Sequence, residues 1–266
     1  MRRAQALGAV NLTFLGTGTS FGVPQIGCGC AVCRSTDPRD RRTRVGAIVE
    51  DQGLRLLLDT PPELRLQLVA AGVDRVDAVL FTHEHADHVN GIDDIRAISI
   101  RRDGALPMYG PAEVLASLQH RFAYIFDAAM KPLPGTSKPE GFAQAVVPGE
   151  PTRIGHLDVT AVELPHGRVR VFGYRIGPLA YVTDAKSLPE AAVAQLRGAR
   201  VLVLNALFRT AHPTHLSIGE AVAAASAVGA ERTYLTHLTH ETSHAELAAS
   251  LPAGIAPAYD GLTVEI

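Results

Sequence analysis

The sequence has few cysteines, little net charge and no long apolar run, and each of these absences excludes a class of protein. Only three of the 266 residues are cysteines, and all three lie within one six-residue stretch, which excludes a disulfide-stabilised scaffold. The 25 lysine and arginine residues nearly balance the 27 aspartate and glutamate residues, so no bulk positive field favours nucleic acid. No apolar run approaches the roughly 20 residues of a membrane span, so we expect no membrane partner.

The N-terminus and the cysteine content predict where the protein works. Met1, Arg2 and Arg3 are followed by a stretch that Gln5 and Asn11 interrupt, which is a poor match to a secretion signal. Three cysteines without a disulfide pattern are typical of a reducing compartment or of a metal site. We therefore expect a soluble cytoplasmic protein.

Short runs rich in valine, leucine and isoleucine alternate with amphipathic segments, and this pattern predicts an α/β fold. The predicted strands cover residues 10–15, 45–50, 54–58, 76–82, 157–164, 169–176, 179–183, 201–204 and 233–236, and the predicted helices cover 61–71 and 217–228. Near the C-terminus, Asp260-Gly261 is typical of a tight hairpin turn.

The number of domains depends on one irregular stretch. Between Lys131 and Phe142 the chain is rich in proline and glycine, which is typical of a linker or of an active-site lid. The predicted strands before and after this stretch have the same composition. We therefore expect a loop within a single domain that covers residues 1–266.

The strongest chemical signal is the segment Thr82-His83-Glu84-His85-Ala86-Asp87-His88. It follows a predicted buried strand and holds four potential metal ligands. His83 and His85 are two residues apart in an extended or turning segment and can point at one ion, whereas Asp87 and His88 can turn toward another. Three imidazoles and a carboxylate packed together are costly to desolvate without a metal, so we predict a metal site here.

The pattern His-x-His-x-Asp-His resembles the signature of the metallo-β-lactamase superfamily. Members of that family fold as an αββα sandwich with a one- or two-metal site along one edge of the paired sheets, and the resemblance implies the same for this chain. Further positions match the family's motifs in order, namely Asp59, His166, Asp184 and His237. The resemblance implies that one ion is held by His83, His85 and His166, and the other by Asp87, His88 and His237, with Asp184 between them.

A two-metal site of this kind has a defined chemistry. Two cations roughly 3.5 to 4 Å apart share a hydroxide, lower its pKa and clamp both oxygens of an in-line displacement. Asp59 would support the site by accepting the second N–H of a ligand histidine, and we count the ligand Asp87 among the catalytic residues. Ligands of this mixture accept zinc, manganese, iron or nickel. We expect two divalent ions, zinc or manganese, in a hydrolase.

Cys28, Cys30 and Cys33 form a Cys-x-Cys-x-x-Cys run in which an intervening glycine lets three thiolates approach one ion with little strain. A tetrahedral site needs a fourth ligand, and the sequence has no fourth cysteine. His240 is the first candidate because it lies close to the predicted ligand His237 in sequence, and His244 is the second candidate.

The stretch Leu15-Gly16-Thr17-Gly18-Thr19-Ser20, then Gly22-Val23-Pro24 and the cysteine run, narrows the resemblance. It is similar to the phosphoribosyl 1,2-cyclic phosphodiesterase group of the same superfamily, the type found in the carbon–phosphorus lyase pathway. In that group a cysteine triplet and a C-terminal histidine hold a structural zinc ion. The resemblance therefore implies a structural zinc here, tying the N-terminal loop to the C-terminal metal-binding loop.

A candidate acid lies just before the helix predicted at residues 217–228. His215 resembles the histidine of phosphodiesterase members that meets the substrate phosphate and assists the leaving oxygen, and His212 is its competitor. When protonated, His215 would stabilise the developing charge and give a proton to the leaving alkoxide. The arginines between Arg34 and Arg44 suit phosphate, but beside neighbouring aspartates they are more typical of a solvated, ion-paired surface.

These features predict a dinuclear metal phosphodiesterase acting on a small or cyclic phosphodiester, such as a phosphoribosyl 1,2-cyclic phosphate or a cyclic or oligonucleotide. A nuclease resembling the tRNA 3′-end endonucleases is one alternative, although the stretch between Lys131 and Phe142 is too short for their tRNA-binding arm. A non-catalytic cofactor-biosynthesis or binding protein is another, although such relatives tend to have a degraded metal motif. We expect nucleic acid only as a substrate, and we expect a homodimer.

Overall fold

Two seven-stranded β-sheets form the centre of the molecule in a computed structural model that describes residues 10–266. The strands are β1 (Asn11–Gly16), β2 (Gly46–Asp51), β3 (Leu54–Leu58), β4 (Ala78–Leu80), β5 (Leu106–Gly110), β6 (Gly141–Ala145), β7 (Pro151–Ile154), β8 (Leu157–His166), β9 (Val169–Ile176), β10 (Leu179–Tyr181), β11 (Val201–Asn205), β12 (Arg232–Thr236), β13 (Ile255–Pro257) and β14 (Thr263–Glu265). The strand order is β14-β1-β2-β3-β4-β5-β6 in the first sheet and β13-β12-β11-β10-β9-β8-β7 in the second. Met1, Arg2 and Arg3, on which the secretion prediction depends, lie outside the described residues.

The helices cover the outer faces of the two sheets. They are α1 (Leu64–Ala70), α2 (Ala86–Val89), α3 (Arg96–Arg102), α4 (Ala112–Arg121), α5 (Ala123–Phe126), α6 (Glu190–Leu196), α7 (Ile218–Val228) and α8 (His244–Ser250). Buried side chains of both sheets, such as Leu56 and Tyr181, pack against one another between the sheets. α1, α3 and α4 pack on the first sheet, and α6, α7 and α8 pack on the second. The expected αββα sandwich is confirmed, and no helix within residues 10–266 is long and apolar enough to cross a membrane.

Local sequence explains the interior strand β11 and the helix that follows it along the chain. β11 runs parallel to both of its neighbours, and all five of its residues are buried, as expected for a strand covered on both faces. Before α7, Ser217 and Glu220 form a capping box in which each side chain accepts a backbone N–H of the other. Gly229, with φ 75°, ends the helix in the left-handed conformation. The predicted helix therefore starts one residue early, because Ser217 is its cap.

The hairpin predicted at Asp260-Gly261 is wrong. β13 pairs with β12 in the second sheet, whereas β14 pairs with β1 in the first, so this turn carries the chain from one sheet to the other. The Asp260 carboxylate accepts hydrogen bonds from the Thr17 hydroxyl and from the Thr43 backbone N–H, both at 2.7 Å. The predicted tight turn itself forms, since the Leu262 N–H donates to the carbonyl oxygen of Tyr259 at 3.0 Å, but the flanking strands do not pair with each other.

The proline-rich stretch is a loop that leads into the first sheet. Phe142 lies within β6, the edge strand beside β5, so the stretch connects elements of one layer. The sequence analysis missed β5, β6, β7, β13 and β14. These strands are short, and Pro107 in β5 and Pro257 in β13 weaken the strand pattern because proline lacks a backbone N–H.

Candidate metal centre and active site

The carboxyl ends of strands from both sheets each carry a predicted site residue. Asp59 follows β3, His83 lies just beyond β4, Asp184 just beyond β10, and His237 follows β12. Asp59, Asp184 and His237 have φ values of 62°, 58° and 56°, and they are three of the five non-glycine residues with positive φ in the described chain. Such backbone costs about 1–3 kcal/mol and persists where surrounding structure enforces it, as at functional sites.

His83, His85 and His166 form a first group, whose ligand nitrogens all lie within 4.8 Å of one another. The Nδ1 of His166, at the end of β8, is 2.9 Å from the carbonyl oxygen of Thr214. Because a carbonyl can only accept, Nδ1 carries the proton, which leaves Nε2 of this ring unprotonated for the site. The structure thus brings together the three residues that the resemblance assigned to one ion.

Asp87, His88 and His237 form a second group, whose ligand atoms also lie within 4.8 Å of one another. Asp184 lies between the two groups. Its carboxylate oxygens are 3.3 Å from Nε2 of His237, 3.5 Å from Nε2 of His88 and 3.8 Å from Nε2 of His83. Burial opposes ionisation of Asp184, but the imidazoles of His237 and His88 outweigh it and hold its pKa well below the usual range. An ionised carboxylate in this position is suited to contact two cations.

Asp59 supports the second group through a hydrogen bond to the ring of His88. It is completely buried, and its carboxylate accepts hydrogen bonds from the backbone N–H and the hydroxyl of Thr82, both at 2.8 Å. Its Oδ2 is also 2.8 Å from Nδ1 of His88, which orients Nε2 of that ring toward the site. Close by, the backbone of residue 91 packs so tightly against the Pro61 carbonyl oxygen that only glycine fits, since a Cβ at Gly91 would lie 2.0 Å from that oxygen.

The donor set fits metal ions. The Nε2 atoms of His83, His88 and His237 are buried and have no hydrogen-bond partner within the chain. Leaving a buried polar atom unpaired costs about 1–3 kcal/mol, so these three nitrogens need partners that the chain itself does not supply. Imidazole nitrogens and carboxylate oxygens are ligands for zinc and for other divalent transition metals. The two groups of side chains therefore constitute metal-binding sites.

His215 lies against this cluster. Its Nε2 is 3.1 Å from Oδ2 of Asp184, and its ring stacks on that of His237 with 4.8 Å between centroids. Thr214, which the sequence analysis missed, contacts the Nδ1 of His215 through its hydroxyl at 2.8 Å and the ring of His166 through its carbonyl. The hydroxyl is also 3.2 Å from Nδ1 of His212, so His212 is one contact further from the cluster than His215.

The three cysteines surround a histidine from the far end of the chain. The Sγ atoms of Cys28, Cys30 and Cys33 are 3.3, 3.4 and 3.5 Å from Nδ1 of His240. The backbone N–H of Cys33 lowers the pKa of the Cys30 thiol to about 6, with a smaller contribution from His240. His244, the second candidate, is not part of this group, because its ring lies against that of Tyr259, 5.5 Å from centroid to centroid. The structure therefore contains a Cys₃His group of zinc-ligand type.

Replacing Cys30 by serine is expected to lower both the zinc content and the hydrolytic rate, the latter by about tenfold, because supporting contacts of metal sites are worth about 10–100-fold. The cysteine group and the active site are linked through a short piece of chain, because β12 leads through the site residue His237 to the loop that carries His240. Zinc stoichiometry by plasma mass spectrometry and initial rates are measured together. Ile26→Ala, at a residue that is 96% exposed in the same loop, is the control, and a Cys30→Ser protein with full zinc and full rate would contradict the link.

Three of the arginines between Arg34 and Arg44 are engaged by other groups of the protein. Arg39 pairs with Asp37 at 2.7 Å, and Arg44 pairs with Glu63. Arg42 is only 1% exposed and donates to two backbone carbonyls of the loop between β12 and α8. The interpretation as ion-paired side chains therefore describes all three, and Arg42, which pairs with Asp40 at 3.4 Å, also joins the N-terminal loop to the loop of His240.

The comparisons with known proteins agree with this geometry. Residues 54–238 match the family model of the Beta-lactamase superfamily domain. A solved structure described as a new diphosphatase from the PhnP family superposes with a TM-score of 0.88 and is 40% identical, covering 97% of this chain and 98% of that one. Zn²⁺-bound PqqB from Methylobacterium extorquens superposes with a TM-score of 0.78 at 20% identity, covering 96% and 100% of the two chains, and shares the fold.

One curated relative carries a different name. A protein named octanoyltransferase, from Porphyromonas gingivalis, is 41% identical over 93% of this chain but over only 50% of its own length. The chain spans about half the length of the first curated relatives that it matches. The activity in that name therefore belongs to a protein about twice as long as the matched region.

Proposed function

This chain belongs to the metallo-β-lactamase superfamily, as a metal-dependent hydrolase of the PhnP type, and on that premise we propose that it is a phosphodiesterase. Its substrate is a small or cyclic phosphodiester, of the phosphoribosyl 1,2-cyclic phosphate type or of the cyclic or oligonucleotide type. The observation that carries the proposal is His215, whose Nε2 lies 3.1 Å from Asp184 at the centre of the ligand cluster. A proton donor in that position suits a reaction in which a poor leaving group departs as an alcohol.

The residues that would hold two ions, zinc or manganese, fall into the two groups described above. The first ion would be held by His83, His85 and His166, and the second by Asp87, His88 and His237, with Asp184 shared. When bound, such ions supply a water molecule of lowered pKa and positive charge beside the phosphate. The Cys₃His group would hold a structural zinc ion.

The chain itself supplies orientation and a proton. Because the Asp184 carboxylate can only accept, the contact at 3.1 Å places a proton on Nε2 of His215. In the protonated ring Nδ1 also carries a proton, and the Thr214 hydroxyl, 2.8 Å away, accepts a hydrogen bond from it. The imidazolium of His215 presents Nε2–H to the substrate, where it stabilises charge on the phosphate, gives that proton to the leaving oxygen and becomes a neutral imidazole that keeps its Nδ1–H. Asp59 meanwhile holds His88 in place through Nδ1.

The proposal is tested by hydrolysis of bis(p-nitrophenyl) phosphate with added manganese or zinc. We expect clear turnover that disappears when a chelator strips the protein of metal and that returns when metal is restored. A precursor tRNA is assayed in parallel. Cleavage of the tRNA alone would favour the tRNA 3′-end endonuclease alternative, whereas metal-loaded protein without turnover on any ester would favour the non-catalytic binding alternative. The cytoplasmic location and the homodimer stay predictions.

A further inference from the structure

A cavity of about 370 Å³ opens beside His215 and His237. Its wall combines the N-terminal loop, which contributes Phe21, with the segment after β11, which contributes Phe208. We call this cavity the aromatic pocket. Because it reaches His215, it lies on the side of the site where the proton donor meets the leaving oxygen, so the group attached to that oxygen enters it.

Two phenylalanines in the wall of the aromatic pocket are not buried in the core of the protein. Phe21 is 65% exposed, which is unusual for a large apolar side chain in a loop that other contacts already hold. Phe208 is half-buried, and its ring lies 5.6 Å from the ring of His212, centroid to centroid. Exposed aromatic faces of this kind bind flat rings, and stacking of a base on an aromatic side chain is worth about 1–3 kcal/mol.

The charges around the aromatic pocket do not suit a second phosphate group. Within the described chain, no lysine or arginine is among the residues that line it, and Glu241 contributes a negative charge. The neighbouring Arg44 is engaged by Glu63 and by the carbonyl oxygen of Ser20. A phosphate bound here would lack the arginine or lysine contacts that phosphate sites normally provide.

The pocket wall is held by contacts that do not depend on a substrate. The backbone N–H of Gln25, which lines the pocket, donates to Sγ of Cys33 at 3.4 Å. The backbone N–H of Thr19 donates to the carbonyl oxygen of Leu238 at 3.3 Å, beside the site residue His237. The loop that carries Phe21 is thus fastened at both ends, so a ligand meets a largely preformed wall.

We propose that the aromatic pocket binds a flat, uncharged ring on the leaving-group side of the substrate, so that the preferred diester carries a nucleobase rather than a second phosphate. This inference rests on the proposed function and selects among its substrate types. It favours nucleoside-bearing diesters over a phosphoribosyl 1,2-cyclic phosphate. Phe21 and Phe208 are its specificity-determining residues.

The test uses two substrates that differ only in the base, adenosine 2′,3′-cyclic phosphate and ribose 2′,3′-cyclic phosphate. With metal-loaded wild-type protein, we expect kcat/KM to be about tenfold higher for the adenosine compound, within the range for one stacked base. Phe21→Ala and Phe208→Ala should each shrink this ratio toward one, and Phe21→Tyr should retain it. Ile26→Ala, in the same loop but outside the pocket, should leave the ratio and both rates unchanged.

Specific outcomes would overturn the inference while leaving the phosphodiesterase proposal intact. One is hydrolysis of both compounds with equal kcat/KM, and another is faster hydrolysis of a 5-phosphorylated ribose cyclic phosphate than of its unphosphorylated form. If neither diester is hydrolysed, the proposed function fails for these substrates and calorimetric binding of adenosine decides about the pocket. Binding that weakens in Phe21→Ala but not in Ile26→Ala would support it, and no binding would overturn it.

Discussion

Asp184→Asn protein is expected to hydrolyse phosphodiesters about 1,000-fold more slowly than the wild type and to lose bound metal. The carboxylate of Asp184 lies within 3.8 Å of Nε2 atoms from both ligand groups, so it is a carboxylate placed to contact the ligands of both. Asparagine has nearly the same shape but no charge, and it offers one oxygen instead of two. Loss of several kcal/mol of charge stabilisation at a two-metal site corresponds to about three powers of ten in rate.

The effect of Asp184→Asn is measured as kcat on bis(p-nitrophenyl) phosphate together with metal stoichiometry by plasma mass spectrometry. Asp51→Asn is the matched control, because Asp51 is also a buried carboxylate beside a histidine, with His156 Nε2 at 3.0 Å. Asp51 closes β2 and pairs with the first residue of β3, whereas the site lies beyond the last residue of β3. Equal metal content and rate in Asp184→Asn and wild type would refute the bridging role.

The second large effect is expected from His215→Ala, and it should depend on the leaving group. A positioned general acid contributes about 10²–10⁴-fold, so hydrolysis of a diester with a ribose leaving oxygen should fall by that factor. Nitrophenolate departs readily without a proton, so hydrolysis of bis(p-nitrophenyl) phosphate should fall much less. Metal content should stay close to that of wild type, because the substitution leaves all seven assigned metal ligands in place.

The difference between the rate losses for the two substrates distinguishes a general acid from a residue that only maintains the structure of the site. A structural role for His215 would lower both rates by the same factor, and that outcome would contradict the proposed proton transfer. His120→Ala serves as the histidine control, since His120 is exposed near the end of α4. Initial rates with both substrates at saturating concentration give the required comparison, with circular dichroism to confirm that each variant is folded.

Features that depend on neighbouring residues were predictable from the sequence. The segment from Thr82 to His88 concentrates ligand types within one turn of chain, and the structure places them at a strand end as expected. The helix predicted at residues 217–228 likewise begins within one residue of the start of α7. In each case the chemistry and the geometry are set by residues only a few positions apart, so composition and spacing are sufficient.

Relations between distant residues required the tertiary structure. The sequence allowed His240 or His244 beside the cysteines, and only the packing of the loop after β12 brings the ring of His240 to them. Thr214 carries no signal of its own, yet it contacts both His166 and His215.

The turn at Asp260 shows the same difference between local sequence preference and contacts with distant residues. Its local residues favour a hairpin, but hydrogen bonds from Thr17 and Thr43 send the two flanking strands to different sheets. The sequence by itself determined the ligand types, the cysteine run and the alternation of strands and helices, because these follow from local pattern, whereas the αββα layering was implied by the resemblance of the metal motif to a known family. Which donors meet, and which atom of each ring faces the site, was decided by tertiary structure, because those contacts join residues that are far apart along the chain.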